Sequence, residues 1–110
     1  MLDGFWIVEY EGRQGLGGGV AVFLKGHVFG GDSGSTYIGT FSEQGKKVTS
    51  RLKIHNYAPG VTNVTGIEGD YELEVTGTVE GEVITGTGAP VGYRMPALTL
   101  KLKKTAKLPA

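Results

Sequence analysis

Three segments of this chain alternate apolar and polar side chains with a period of two. In "VTSRLKIHNY", Val48, Leu52 and Ile54 share one side with Ser50 and Asn56, while Thr49, Arg51, Lys53, His55 and Tyr57 share the other. In "DYELEVTGTV", Tyr71, Leu73, Val75 and Val79 oppose Glu72, Glu74, Thr76 and Thr78. In "ALTLKLKK", Leu98, Leu100 and Leu102 oppose Thr99, Lys101 and Lys103. Successive side chains of a strand point to opposite faces, so each segment reads as a strand with one buried and one wet face. No window of a dozen residues holds a 3.6-residue period without a glycine or a β-branched cluster breaking it. Little or no helix is expected.

Glycine supplies 20 of the 110 residues, without a collagen-like period, and apolar residues reach 39%. Glycines scattered between short apolar runs signal tight turns, bulges and bends rather than disorder. Further strands are expected at about 5–10, 19–25, 27–30, 36–43 and 81–88. The longest irregular stretches are 58–69 and 89–96. Eight short strands with hairpin-length connections predict one all-β domain over 1–110, an eight-stranded antiparallel up-and-down β-barrel, with a sandwich as the alternative. An interior of that size is filled by side chains or holds one small ligand, and the apolar count leaves both open.

Eleven basic and eleven acidic residues cancel. The basic concentration near the C-terminus, Lys101, Lys103, Lys104 and Lys107, alternates with Leu and Thr as the wet face of a strand does. Nucleic-acid binding is not expected. The absence of cysteine removes disulfides and thiolate chemistry. "MLDGFWIVEY" carries an acid at position 3 and no run suited to a signal peptide, and no stretch approaches the ~18 apolar residues of a membrane helix. The expectation is a soluble cytoplasmic protein with no membrane partner.

"GGDSG" (30–34) resembles the surroundings of a serine-protease nucleophile. A nucleophilic serine needs a histidine base and an orienting carboxylate. His27 lies only six residues before Ser33, and His55 lies on a polar strand face. The stretch reads instead as a connection in which glycine supplies unusual φ and Asp32 caps its own backbone. "GLGGGV" (15–20) lacks the Lys-Ser/Thr ending of a phosphate loop and reads as the start of a strand. His27 and His55 lack metal-ligand spacing, and Glu72 and Glu74 share a solvated face with threonines. No enzyme, metal or cofactor is expected.

What remains is an aromatic-rich interior. Candidate cavity-lining residues are Trp6, Val8, Tyr10, Val22, Leu52, Ile54, Tyr71, Leu73, Leu98 and Leu100. "FWIVEY" and "VAVFL" are apolar on both faces. With Trp6, Val8, Tyr10, Val20, Val22 and Leu24 inward, Phe5, Ile7, Ala21 and Phe23 point outward as a candidate homodimer surface.

Two resemblances carry expectations of their own. Gly4-Phe5-Trp6 resembles the Gly-x-Trp that opens lipocalin-like (calycin) barrels. That resemblance implies that Trp6 closes the barrel base beside a basic residue on the last strand, here Lys101 or Lys103. Asp3-Gly4, a glycine-rich second strand, Gly30-Gly31-Asp32, Tyr37-Ile38-Gly39, Ser42-Glu43, His55-Asn56-Tyr57 and Asp70-Tyr71-Glu72-Leu73 resemble, in order, the GrlR-type family of small bacterial negative regulators of type III secretion. The resemblance spans roughly residues 3–104. It implies a lipocalin-like barrel that forms homodimers and blocks a transcription activator by binding it. The founding members carry an acidic run in the loop that here reads Ser42-Glu43-Gln44-Gly45-Lys46-Lys47. Glu43, Gln44, Lys46 and Lys47 are therefore the candidate partner loop, with its own charge pattern. The alternative function is a carrier or sensor of a small apolar ligand.

Overall fold

In the computed structural model, residues 2–13, 15–58 and 64–109 are described. Eight strands run β1 (Gly4–Gly12), β2 (Gly15–Leu24), β3 (His27–Gly31), β4 (Ser35–Gln44), β5 (Lys47–Asn56), β6 (Tyr71–Glu80), β7 (Val83–Pro90) and β8 (Leu98–Ala106). Each pairs antiparallel with its sequence neighbour, and β1 pairs with β8 to close the barrel. No helix occurs among the described residues. The up-and-down barrel is the architecture that the alternating segments predict; the sandwich is not formed.

Three tight turns sit at one end. Lys25 and Gly26 both have positive φ (49° and 81°), the type I′ pattern whose twist suits a two-residue hairpin. Gly45 and Gly81 open the β4–β5 and β6–β7 turns, each with φ 62°. This end is the base. The other end, the mouth, carries the β3–β4 connection at 32–34 and the two long connections, 57–70 and 91–97.

The base is filled by hydrocarbon. Trp6 is 1% exposed and its indole N–H donates to the Leu2 carbonyl at 2.9 Å. Phe23 lies 5.4 Å from Trp6 and 5.0 Å from Phe41, ring centre to ring centre. Such aromatic contacts add to a large area burial. The basic neighbour of Trp6 is Lys104, not Lys101 or Lys103. A register shift beside Phe5 brings Lys104 opposite Trp6, whereas Lys101 and Lys103 are exposed on the outer wall.

The facing of β2 is the reverse of expectation. Ala21 and Phe23 are 2% and 5% exposed inside the barrel, while Val22 is on the outer wall with Val20 and Leu24. Val22 therefore does not line the cavity, and Ala21 and Phe23 are not surface residues. The cause lies earlier in the strand. Gly17 and Gly19 share the inner parity with Ala21 and Phe23, and a Cβ at either would run into the Tyr10 ring or the Tyr37 hydroxyl. Only a residue without a side chain fits beneath those tyrosines, and this fixes the phase.

The outer wall consequently has two halves. On β1–β4 the outward row Phe5, Val22, Phe29 and Ile38 runs across four strands in register, with Ile7 beside Val20 in the next row. Ile7, Phe29 and Ile38 are 43%, 43% and 56% exposed. On β5–β8 the outward positions are mostly Thr, Lys, Arg and Glu. A lipid-facing barrel needs an apolar band all the way round; this wall has one on half its circumference.

Candidate functional site: the barrel mouth and its cavity

The inner walls of β1–β6 and β8, with Val28 from β3, enclose a cavity of about 90 Å³ that reaches the mouth at Asp32. One water needs roughly 10–15 Å³ of such space, so there is room for one small ring or short chain. Of the residues expected to line it, Val8, Tyr10, Leu52, Ile54, Tyr71, Leu73, Leu98 and Leu100 do so. Trp6 lies beneath it in the base, and Val22 is outside. Ala21, Phe23, Asp32, Tyr37 and Val64 line it without having been expected to. Val64, between β5 and β6 in sequence, packs over the ends of β1 and β8 at Gly12 and Leu98.

The polar end of this cavity is built on Asp32, the aspartate of "GGDSG". Its Oδ1 accepts the backbone N–H of Gly34 and of Ser35, both at 2.8 Å, an Asx-type cap. Its Oδ2 accepts the hydroxyls of Tyr10 and of Tyr37, the latter at 2.6 Å. The backbone around it is tied down as well. Asp32 N–H donates to the Ser35 carbonyl at 2.9 Å, and Tyr57 donates its hydroxyl to the Asp32 carbonyl at 2.7 Å. Ser35 is buried and donates to Asn56 Oδ1 at 2.6 Å.

Burial acts to raise the Asp32 carboxyl, but the hydroxyls of Tyr10 and Tyr37 and the N–H groups of Gly34 and Ser35 outweigh it and hold it below the usual Asp range. Asp32 is therefore ionised at neutral pH. Burial first, and the bond to Asp32 second, push Tyr10 up to about 12 and raise Tyr37 further. Both phenols are protonated donors. Tyr71 is raised too, chiefly by burial, and its oxygen lies 3.5 Å from Thr65 Oγ1.

Ser33 is exposed in the turn beside this cluster. His27 lies at the base end of β3 against Phe29, with the length of the strand between it and Ser33. His55 is on the outer wall, with Nδ1 2.9 Å from Asp70. The geometry thus brings no histidine to Ser33. Glu72 and Glu74 are not left among threonines: Arg51 bridges them at 2.9 and 2.6 Å. An outer groove of about 290 Å³ includes Arg51 and Glu74, but both charges are spent on that exposed bridge. It is larger than the inner cavity, but its lining is mostly Thr and Ser, with Phe41 and Val75 as its apolar members, unlike the predominantly apolar enclosure of a ligand site.

Gly30 and Gly31 do not have positive φ, contrary to the reason first assigned to them. Gly30 is required for space: a Cβ there would meet the Val20 carbonyl and Ala21. The expected partner loop is a two-residue hairpin tip at Gly45-Lys46, with Glu43, Gln44 and Lys47 on the flanking strand ends, all exposed. Among the described residues, no helix is long and apolar enough to cross a membrane. Comparison with family models and with curated proteins finds no match for this chain.

Proposed function

We propose that this protein is a cytoplasmic, non-enzymatic protein-binding barrel that works as a homodimer, in the manner of the GrlR-type regulators it resembles. The observation that carries the reading is the apolar half-wall of β1–β4. Phe5, Ile7, Val20, Val22, Phe29 and Ile38 lie on adjacent strands in two registered rows. A patch of this kind is large for the surface of a monomer. No charge interrupts the two rows, and Lys103 and Lys53 flank them at either side. A two-fold axis buries such a surface against itself while leaving the lysines at a wet rim. The opposite half-wall and the 43–47 hairpin stay free for a protein partner. Lys46 and Lys47, where the family's acidic run would continue, favour an acidic surface on that partner.

Analytical ultracentrifugation at micromolar concentration tests the dimer. The expected result is a dimer that Phe29→Glu and Ile38→Glu each convert to monomer with an unchanged β-type circular dichroism spectrum. A wild-type monomer under those conditions overturns the reading. Phe23→Glu is no test of the interface, because Phe23 is core.

The cavity favours a second reading, in which the barrel takes up a small apolar ligand through its mouth. A rise in melting temperature with short-chain compounds would support it.

A further inference from the structure

The residues at the polar end of the cavity define what kind of ligand head it accepts. The inference rests on the second reading above and is independent of the dimer. Asp32 has two carboxylate oxygens, and both are occupied: Oδ1 by the N–H groups of Gly34 and Ser35, Oδ2 by Tyr10 and Tyr37. The carboxylate lines the cavity with the two phenols, but its acceptor sites are taken, so it offers a ligand its charge and fixes the two phenols beside it.

Each phenol has one proton and gives it to Asp32. What each has left is lone pairs. Hydrogen-bond chains polarise one another, so an oxygen that donates to a carboxylate is a stronger acceptor than a free phenol. The phenols sit over Gly17 and Gly19, whose missing side chains leave them room. The rest of the wall is hydrocarbon, with Val8, Leu52, Ile54, Leu73 and Leu98 among its residues.

We propose that the cavity binds a small apolar molecule bearing a hydrogen-bond-donating, cationic head, a primary ammonium above all, which Tyr10 and Tyr37 accept while Asp32 beside them supplies the counter-charge. A carboxylate of the same size is disfavoured twice. It meets a fixed negative charge, and it meets two hydroxyls whose protons are already committed. A neutral alcohol falls between the two, since it donates one hydrogen bond and carries no charge. Asp32 is only partly buried, so a charged head beside it keeps part of its water, which avoids the large desolvation cost of a fully buried ion.

The test uses the full chain and three probes of equal length at pH 7: hexylamine, hexanol and hexanoate. Binding is followed by calorimetry and by the NMR shifts of the Tyr10 and Tyr37 rings. An alkylamine is protonated at this pH, like a lysine. The expected result is hexylammonium tighter than hexanoate by about tenfold or more, the size of one additional charge-assisted hydrogen bond, with hexanol between them. Asp32→Asn is expected to erase that preference. Tyr37→Phe, which keeps the ring and loses one acceptor, is expected to weaken hexylammonium more than hexanol, and it serves if Asp32→Asn fails to fold. Hexanoate binding as tightly as hexylammonium overturns the head-group assignment and leaves the cavity reading standing. No binding by any of the three overturns both.

Discussion

At the base of the barrel, Phe23 packs against both Trp6 and Phe41 with tilted rings, Leu2 joins the same cluster, and the polar atom there, the Trp6 N–H, is satisfied by a backbone carbonyl. At the mouth, Tyr10 and Tyr37 occupy the same inner wall but aim their hydroxyls at one carboxylate. Both ends are aromatic. They differ in whether the rings meet each other or meet an acid, and in the space left over. Rings that meet each other fill volume and stabilise by burial. Rings held by an acid are fixed in place without filling the volume between them. The base holds the fold, and the mouth keeps a shaped opening in it.

The sharpest way to break this contrast is a truncation at the base. Phe23→Ala removes a buried ring that touches two others and is expected to cost about 3–5 kcal/mol in urea unfolding. Asp32→Ala at the mouth leaves two phenols and two N–H groups without their acceptor, but the cavity and the nearby surface let water reach them. Its expected cost is about 1–3 kcal/mol. If Asp32→Ala proves the costlier of the two, the mouth is structural and the contrast is wrong.

pH separates the ends without mutation. Tyr10 ionises at about 12 in the folded protein, above the ordinary phenol value of roughly 10. Below that ordinary value it is protonated in both folded and unfolded chains, and its contribution is fully present. As pH rises from there towards the folded value, the unfolded chain loses its proton first, so stability falls. Asp32 acts in the opposite direction. Its folded value is depressed, so its contribution is present above the ordinary Asp value of about 3.9 and is lost as pH falls through the folded one. Urea midpoints followed across the alkaline range should decline in the wild type and decline less in Tyr10→Phe. Equal slopes would remove the phenol from the account. The smallest expected effect is that of Ser33→Ala, within about 0.5 kcal/mol, because its side chain is exposed beside the cluster and has no share in it. A larger loss would mean that the turn depends on more than Asp32.

The strands β5, β6 and β8 were legible because charge marks one of their faces: Arg51 and Lys53, Glu72 and Glu74, Lys101 and Lys103 cannot sit in a hydrocarbon core. The apolar strand β2 has no such mark. Leu16, Val20, Val22 and Leu24 are bulkier than Gly17, Gly19 and Ala21, and bulk argues for the interior. The small residues go inside because Tyr10 and Tyr37 already occupy that space, and that is a fact of register: Tyr10 pairs with Gly17, and Tyr37 with Gly30. The signal was present as a row of small residues at alternate positions, all of one parity. The Asp32 site was half legible. Its local cap follows from Asx chemistry within four residues, whereas its two tyrosines arrive from β1 and β4 and become neighbours only once the barrel is closed.

Closure itself has a consequence in time. Seven of the eight ladders join strands adjacent in sequence, and most of those can zip from a short turn. The eighth joins β1 to β8, with Phe5 opposite Ala106. Bringing such distant segments together carries a loop-closure entropy of roughly 4 kcal/mol before its fixed part. Contacts of this separation are the ones that slow folding. The hairpins are therefore expected to form early and the seam last. Trp6 pairs across that seam with Lys104, so its fluorescence reports the event directly. In stopped-flow refolding, Trp6 is expected to change in the slowest phase, after β-structure has appeared in the far ultraviolet. Simultaneous signals would place the seam in the first contacts instead.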